Sequence, residues 1–274
     1  MHPFVAAVDG SLHSKEILRW ADREASLAHA PLIALSAYEG DRHSGTPADD
    51  AAQRLDACVE SALPSERAAH TRRVVLPDRP FDAMIKASVE SDLLVMGVHR
   101  HRIPWTPHDL AARVVALATC PVAMVPERSD GSVQRIAVGV DGSPASLAAL
   151  RWAARRARRS SAALIAVMAW HWVPEYSVFP YGASEDDAER DAAELLDRAV
   201  GRLPALRCTR MIDQGHPTDV LLDVADEVDL LVVGSTGTGS FRNQLLGSVS
   251  QRVAQRASCP VVVVHEADGD GWHD

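Results

Sequence analysis

The chain has 274 residues, which is enough for two ordinary domains of about 130 residues each. Hydrophobic residues make up 47% of the sequence, so a packed core is expected throughout, while the net charge of −9 argues against a surface that binds nucleic acid or an anionic membrane. No apolar run approaches the roughly 20 residues of a membrane span, and the first residues lack the pattern of a secretion signal. The four dispersed cysteines form no CxxC pair, so we expect neither a zinc site nor disulfides, and a cytoplasmic protein.

The sequence repeats itself once. The N-terminal segment FVAAVDGS returns at Arg135 as RIAVGVDGS, and the later segment DLLVMG returns at Asp229 as DLLVVG. Similarity between such distant segments indicates two copies of one domain rather than a solenoid of short repeats. We therefore predict two domains, residues 1–127 and 133–266, joined by a short polar linker.

Apolar segments and helical patterns alternate within each copy, which predicts five strands and four helices per domain. In the second copy the predicted strands are Arg135–Val140, Ala163–Trp170, Arg207–Asp213, Leu230–Val233 and Val261–His265. The predicted helices follow a cap at Ser143, span Glu185–Leu203 and Pro217–Asp226, and follow a cap at Ser248. Strict alternation of near-continuous apolar strands with helices predicts an α/β fold, in which each domain is a doubly wound module with a five-stranded parallel sheet.

A glycine-rich segment follows the fourth predicted strand of the second copy. Gly234 and Gly237 come first, and nine residues later Gly247 and Ser248 begin the last helical pattern. We expect the first two glycines to adopt backbone angles that other residues resist, so that amides turn toward a ligand. The unpaired N–H groups of a helix start favour an anion by only about 0.3–1 kcal/mol, so the loop is needed as well. The segment therefore predicts a phosphate-binding loop.

Ligands of such sheets bind beyond the carboxyl ends of the strands, where the strand order reverses. Asp141, the end of the second strand near Ala169, and Gly234 are all predicted at that edge. An aspartate at a strand end either contacts a ligand or only shapes the turn into the helix. We predict ligand contact for Asp141 and the turn alone for Asp9.

Other polar groups suggest weaker alternatives. The arginines of the helix after Ser143 predict a solvated face rather than an anion site, and they are Arg151, Arg155, Arg156, Arg158 and Arg159. The histidines at 99, 101 and 108 are a weak metal pattern, and we predict neither a metal site nor catalytic residues. The long segment 171–184 is rich in aromatic residues, which either cover a ligand or contact a protein partner.

The spacing of Gly234, Gly237, Gly247 and Ser248 resembles the ATP-binding signature of the universal stress protein family, Gly-x2-Gly-x9-Gly-Ser/Thr. The VDGS strand ends, the RWA helices and the final CPV strands are similar to that family in both copies. The chain therefore resembles a tandem universal stress protein, and the resemblance implies an adenine nucleotide alpha hydrolase-like fold that binds ATP, with Mg²⁺. It also implies a homodimer and a further protein partner.

Site residues follow from the resemblance by position. It implies that Asp141 lies by the ribose and adenine, and that the backbone of Ala169 contacts the base. The residues that it assigns to the phosphates are Gly234, Gly237, Gly247, Ser248, Val249 and Ser250.

The first copy departs from this signature. It keeps Gly97, but Arg100 and Leu110 replace the two later glycines. Two prolines between them stiffen the segment. We therefore predict one ATP per chain, held in the second domain.

The resulting functional hypothesis is an ATP-binding regulator of stress or dormancy. A slow ATPase is the enzyme alternative, although the loop offers Thr236, Thr238 and Arg242 and no carboxylate is expected beside the phosphates. A third reading is a nucleotide-free scaffold, in which the glycines serve only close packing between strand and helix.

Overall fold

The computed structural model describes residues 2–39, 46–98, 109–127, 131–170, 185–203, 206–237 and 246–266. The chain divides into two compact units, Met1–Gly131 and Ser132–Asp274. Each unit is a parallel β-sheet with helices packed against it.

The sheet of unit 1 has the strand order β3-β2-β1-β4-β5. Its strands are β1 Phe4–Ala7, β2 Leu32–Ala37, β3 Arg72–Leu76, β4 Leu93–Val98 and β5 Val122–Pro126. Its described helices are α1 Ser14–Ala28, α2 Thr46–Ala62, α3 Ser65–His70, α4 Pro80–Val89 and α5 Leu110–Leu117. The prediction of four helices did not include α3. This helix has only six residues and buries only Ala68, so its sequence shows no helical spacing of apolar residues.

The sheet of unit 2 has the equivalent order, β10-β9-β6-β7-β8. Its strands are β6 Arg135–Gly139, β7 Ala163–Trp170, β8 Cys208–Gln214, β9 Leu230–Gly234 and β10 Val261–Val264. Its described helices are α6 Pro144–Ser160, α7 Glu185–Val200, α8 Pro217–Ala225 and α9 Ser248–Arg256. The predicted α/β fold with five-stranded parallel sheets is confirmed in both units.

The cores lie on both faces of the central strands. Leu93 and Leu94 of β4, and Leu230 and Leu231 of β9, are completely buried. Consecutive residues of a strand point to opposite faces, so both faces must be covered. Because both faces are buried, the strand sequences are continuous apolar runs and do not alternate between apolar and polar residues.

The arginine-rich helix α6 differs in part from the prediction. Arg151, Arg158 and Arg159 are exposed as expected, but Arg156 is buried and its Nη1 donates to Ser160 Oγ at 2.6 Å. Arg156 follows the buried Trp152 by one helical turn, so it lies on the face that packs against the sheet. The prediction of a wholly solvated face was wrong for this residue.

Both VDGS segments form the same tight turn from strand to helix. Gly10 and Gly142 each have a φ of 82°, a left-handed conformation that favours glycine. Asp9 Oδ1 accepts hydrogen bonds from Ser11 N–H at 2.9 Å and from Ser14 Oγ at 2.8 Å. These bonds make Asp9 a structural member of its turn.

The turn of Asp9 predicts a pH dependence of stability. Burial alone would raise the pKa of Asp9, but the hydrogen bonds from Ser11 and Ser14 outweigh it and hold the pKa below its ordinary value. The ionised form is therefore favoured by folding, and its contribution is present above the unfolded pKa of about 3.9 and is lost as the pH falls below it. We expect the free energy of unfolding to fall below about pH 4, and to fall less steeply in Asp9→Asn. Equal slopes in chemical denaturation series of the two proteins would contradict this role.

Gly234 lies at the closest contact between sheet and helix in unit 2. A Cβ at this position would lie 2.7 Å from the carbonyl carbon of Ala145 and 2.7 Å from Ser146 N, both in the first turn of α6. Its φ is outside the left-handed region, so the expectation of an unusual backbone angle was wrong. Glycine is needed here because β9 and α6 leave no room for a side chain.

A matched pair of substitutions tests this packing. Gly234→Ala places a methyl group against backbone atoms, which cannot rotate away, and we expect a loss of about 1–3 kcal/mol in the free energy of unfolding. In Gly97→Ala of unit 1 the methyl group meets side-chain atoms of His13 and Ile17, at 2.8 and 2.9 Å, which can move. Chemical denaturation of the full chain should therefore show the larger loss for Gly234→Ala. A larger loss for Gly97→Ala would contradict the assignment.

Candidate functional site

The candidate site lies at the carboxyl edge of the sheet of unit 2, between β6 and β9. The chain leaves β6 toward β7 on one side, whereas β9 lies on the other side, so the strand order reverses at this point. Asp141 follows β6, and Gly237 follows β9 closely. A Cβ at Gly237 would lie 2.6 Å from Asp141 Oδ2. The structure therefore brings together two residues that the sequence places 96 positions apart.

The Asp141 carboxylate is held in place beside the loop after β9. Its Oδ2 occupies the space that a side chain at Gly237, close to the start of the loop, would need. The other carboxylate oxygen, Oδ1, accepts from Ser143 N–H at 2.9 Å and thereby orients the group. The sequence could not show this proximity because it depends on how closely β9 approaches α6.

Ala169 lies where β7 extends beyond the end of β6. Val140, the first residue after β6, still donates its N–H to Val167 O at 2.8 Å. Alternate residues of a parallel strand bond to opposite neighbours, and Trp170 O accepts from Gly215 N–H on the β8 side. The N–H and C=O groups of Ala169 are therefore directed to the β6 side, beyond that strand and toward the residues that follow it.

Gly237 and Gly247 are glycines for reasons of space. Neither has a φ in the left-handed region. A Cβ at Gly247 would lie 3.3 Å from Ser250 Oγ and 3.4 Å from Ser235 O, and Gly247 N–H donates to Ser235 O at 2.7 Å. The predicted angular reason was therefore wrong for Gly237, as it was for Gly234. At both Gly237 and Gly247 neighbouring groups come close to the place of a side chain.

The start of α9 differs by one residue from the prediction. Gly247 is the cap, with φ −71° and ψ 149°, and Ser248 is the first helical residue rather than the cap. Gly247 O accepts the first helical hydrogen bond, from Gln251 N–H at 3.0 Å. The N–H groups of Ser248, Val249 and Ser250 therefore precede the hydrogen-bond ladder of the helix, as an anion site at a helix start requires.

The side chains of these three residues have different surroundings. Ser248 is exposed and Val249 is half-buried, whereas Ser250 is buried. Ser250 Oγ donates to Ser235 O and to Gly247 O, at 2.9 Å in each case. The backbone of this turn thus borders the site, but the Ser250 hydroxyl group is used within the protein.

Ser143 has a second function that the sequence did not indicate. It caps α6 as predicted, because its Oγ accepts from Ser146 N–H at 3.2 Å. The same Oγ donates to Thr236 O at 3.2 Å and so links the turn of Asp141 to the loop after β9. The repeated VDGS segment was the available signal, but it does not show which carbonyl group lies opposite.

Unit 1 has a different side chain at the equivalent place. A Cβ at Gly97 would lie 2.8 Å from His13 Nδ1, so the buried imidazole ring lies directly against the end of β4. The repeat aligns His13 with Ala145, where unit 2 has only a methyl group. The two strand edges therefore differ in shape as well as in their loop sequences.

Several predicted features lie outside the described residues. They are Arg100 with the histidines at 99, 101 and 108, the aromatic segment 171–184, and the loop residues Thr238 and Arg242. Within the described ranges, no three His, Cys, Asp or Glu side chains are grouped as a metal site would require. None of the helices described has the length and apolar character needed to cross a membrane.

Comparison with known proteins places both units in one family. The model of the universal stress protein family matches residues 1–126 and 132–265. A universal stress protein of Mycolicibacterium smegmatis is 30% identical, over 95% of this chain and 96% of that protein. One of Mycobacterium tuberculosis is 28% identical, over 97% of this chain and 98% of that protein.

The fold is also found among solved structures. The crystal structure of a universal stress protein from Archaeoglobus fulgidus matches with a TM-score of 0.70 at 19% identity, over 96% of this chain and 98% of that chain. The likeness in fold thus extends over nearly the whole of both chains. Since the family model matches both halves in turn, the chain belongs to the universal stress protein family as a tandem of two such domains.

Proposed function

We propose that unit 2 binds one adenine nucleotide, with ATP as the principal ligand, and that occupancy regulates a response to stress or dormancy. The observation that carries this proposal is the contact between the Asp141 carboxylate and Gly237. It joins the edge suited to a ribose and base with the loop suited to phosphates. Family membership supports the stress role, since the site itself identifies a ligand and not a physiological process.

Each end of the site has groups of the chemistry that the ligand needs. A carboxylate at Asp141 accepts hydrogen bonds from ribose hydroxyl groups, and the Ala169 backbone offers both a donor and an acceptor to the adenine edge. The phosphates would bind at the start of α9, where backbone N–H groups precede the helical ladder. Charge-assisted hydrogen bonds contribute about 1.5–3 kcal/mol each, so several amides together can hold a polyphosphate.

The three glycines contribute mainly by their small size. Gly234 lets β9 approach α6, Gly237 leaves room for the Asp141 carboxylate, and Gly247 lets the loop close on Ser235. The packing that the scaffold alternative invoked is thus present at Gly234. In our proposal, this packing also forms the binding edge.

Mg²⁺ would enter with the nucleotide. The described residues near the loop offer serine and threonine hydroxyl groups, which suit a hydrated Mg²⁺ held by phosphates better than a dedicated cage of carboxylates. The ion would neutralise part of the charge of the phosphates at the start of α9.

We propose that unit 1 does not bind ATP. Leu110 begins α5 where the signature requires glycine, and the His13 ring lies against the end of β4. A leucine and an imidazole ring both take space that backbone and phosphate would need.

The slow ATPase alternative has one candidate base in Asp141. A general base must reach the attacking water beside the terminal phosphate. Asp141 Oδ1 already accepts from Ser143 N–H, and we assign the carboxylate to the ribose end of the ligand. We therefore favour binding and regulation over catalysis. In this proposal the protein forms a homodimer, and a protein partner responds to whether the nucleotide is bound.

Titration calorimetry of the full chain with ATP, and separately with AMP and cyclic AMP, tests the number of sites. We expect one ATP per chain. Gly237→Ala should weaken ATP binding by about tenfold or more, because its methyl group would overlap the Asp141 carboxylate and displace either it or the loop.

Arg100→Ala is the matched control, since Arg100 has the place of Gly237 in the repeat of unit 1. We expect it to leave the stoichiometry and affinity unchanged. Two equivalent sites per chain, or undiminished ATP binding by Gly237→Ala, would contradict the proposal.

A further inference from the structure

One buried hydroxyl group holds together the two ends of the segment between β9 and α9. Ser250 is only 4% exposed, and its Oγ lies 2.9 Å from both Ser235 O and Gly247 O. Ser235 is the first residue after β9, and Gly247 is the last before α9. The hydroxyl group therefore bonds to the two residues at which the segment begins and ends.

Backbone hydrogen bonds reinforce the same closure. Gly247 N–H donates to Ser235 O at 2.7 Å, and Ser235 N–H donates to Val264 O of β10 at 2.8 Å. Ser235 is thus fixed to the sheet, and Gly247 is fixed to Ser235. The Ser250 hydroxyl group adds a bond to each of these two residues from one helical turn away.

The chemistry of this hydroxyl group limits what else it can do. A serine hydroxyl group has one proton to donate, and in Ser250 that proton is shared between two carbonyl oxygens. Ionised phosphate oxygens only accept hydrogen bonds. The side chain of Ser250 therefore has no proton left for a phosphate, although the family resemblance assigned it to phosphate binding.

We propose that Ser250 is a positioning residue, which sets the distance between the end of β9 and the start of α9 and so orients the phosphate-binding amides. The effect on ligand binding rests on the proposed function, in which the backbone N–H groups of Ser248 and Val249 bind the phosphates. The exposed Ser248 hydroxyl group, unlike that of Ser250, is accessible to a ligand.

The start of α5 in unit 1 agrees with this assignment. That helix begins with Leu110, Ala111 and Ala112, which have no hydroxyl groups. In the unit whose signature glycines are replaced, the first three residues of the helix thus offer no hydroxyl group comparable to that of Ser250.

Ser250→Ala should fold, because both acceptors keep another donor. Ser235 O retains Gly247 N–H, and Gly247 O retains Gln251 N–H. In the nucleotide-free protein we expect amide hydrogen exchange at Gly247 to accelerate by about tenfold, since its bond to Ser235 O loses the support of the hydroxyl group. Ser248→Ala, the matched control one position from the helix cap, should leave that exchange rate unchanged.

Binding measurements test the consequence for the ligand. Ser250→Ala should weaken ATP binding by about tenfold and leave adenosine binding unchanged, because only the phosphates depend on the oriented amides. Ser250→Thr, which retains a hydroxyl group, should restore both the exchange rate and the ATP affinity. A general loss of protein stability would instead weaken the binding of ATP and of adenosine alike.

The two sets of measurements have separate consequences. Unchanged Gly247 exchange in Ser250→Ala would overturn the positioning role, and a loss of ATP affinity without a change in exchange would make Ser250 a direct phosphate ligand. If the native chain binds no adenine nucleotide, the proposed function fails, while the exchange rates still decide whether Ser250 closes the segment.

Discussion

The close approach of β9 to the first turn of α6 determines the geometry of the candidate site. Gly234 lies against the backbone of Ala145 and Ser146, and three residues later Gly237 lies against the Asp141 carboxylate. A side chain at Gly234 would meet helix backbone, whereas one at Gly237 would meet the Asp141 carboxylate. The same contact that completes the core therefore also brings the turn of Asp141 to the loop, so stability and site geometry are difficult to change independently.

The duplication shows which parts of this scaffold are constrained by packing. Both units keep the VDGS turn with its left-handed glycine, and both keep buried central strands. The edges have diverged, because residues at the carboxyl ends of strands contribute little to the core. Unit 1 has the imidazole ring of His13 where unit 2 has the methyl group of Ala145. It has the side chain of Leu110 where unit 2 has Gly247. In our account, one domain binds the nucleotide and the other has kept only the fold.

Much of the fold could be predicted from the sequence, because buried parallel strands produce long apolar runs. The strand Ala163–Trp170 was predicted to the residue. The wrong predictions have physical reasons. Helix α3 is too short to show a helical period, and Arg156 is buried although a charged residue is expected to be exposed.

The site was less accessible to prediction from sequence. A glycine shows only that a side chain is absent, and whether an unusual φ or a close neighbour requires it depends on the tertiary structure. Gly10 and Gly142 have the unusual φ, whereas Gly234 and Gly237 have the close neighbour. Likewise, the sequence shows a serine at position 250 but not that it is buried and bonded to both ends of the segment.

The most direct test of this account is a crystal structure of the full chain grown with ATP and Mg²⁺. The account predicts one ATP, in unit 2, with its ribose at Asp141, its adenine at the Ala169 backbone and its phosphates at the start of α9. Nucleotide density in unit 1 alone, or at a surface remote from Asp141 and Gly237, would contradict it.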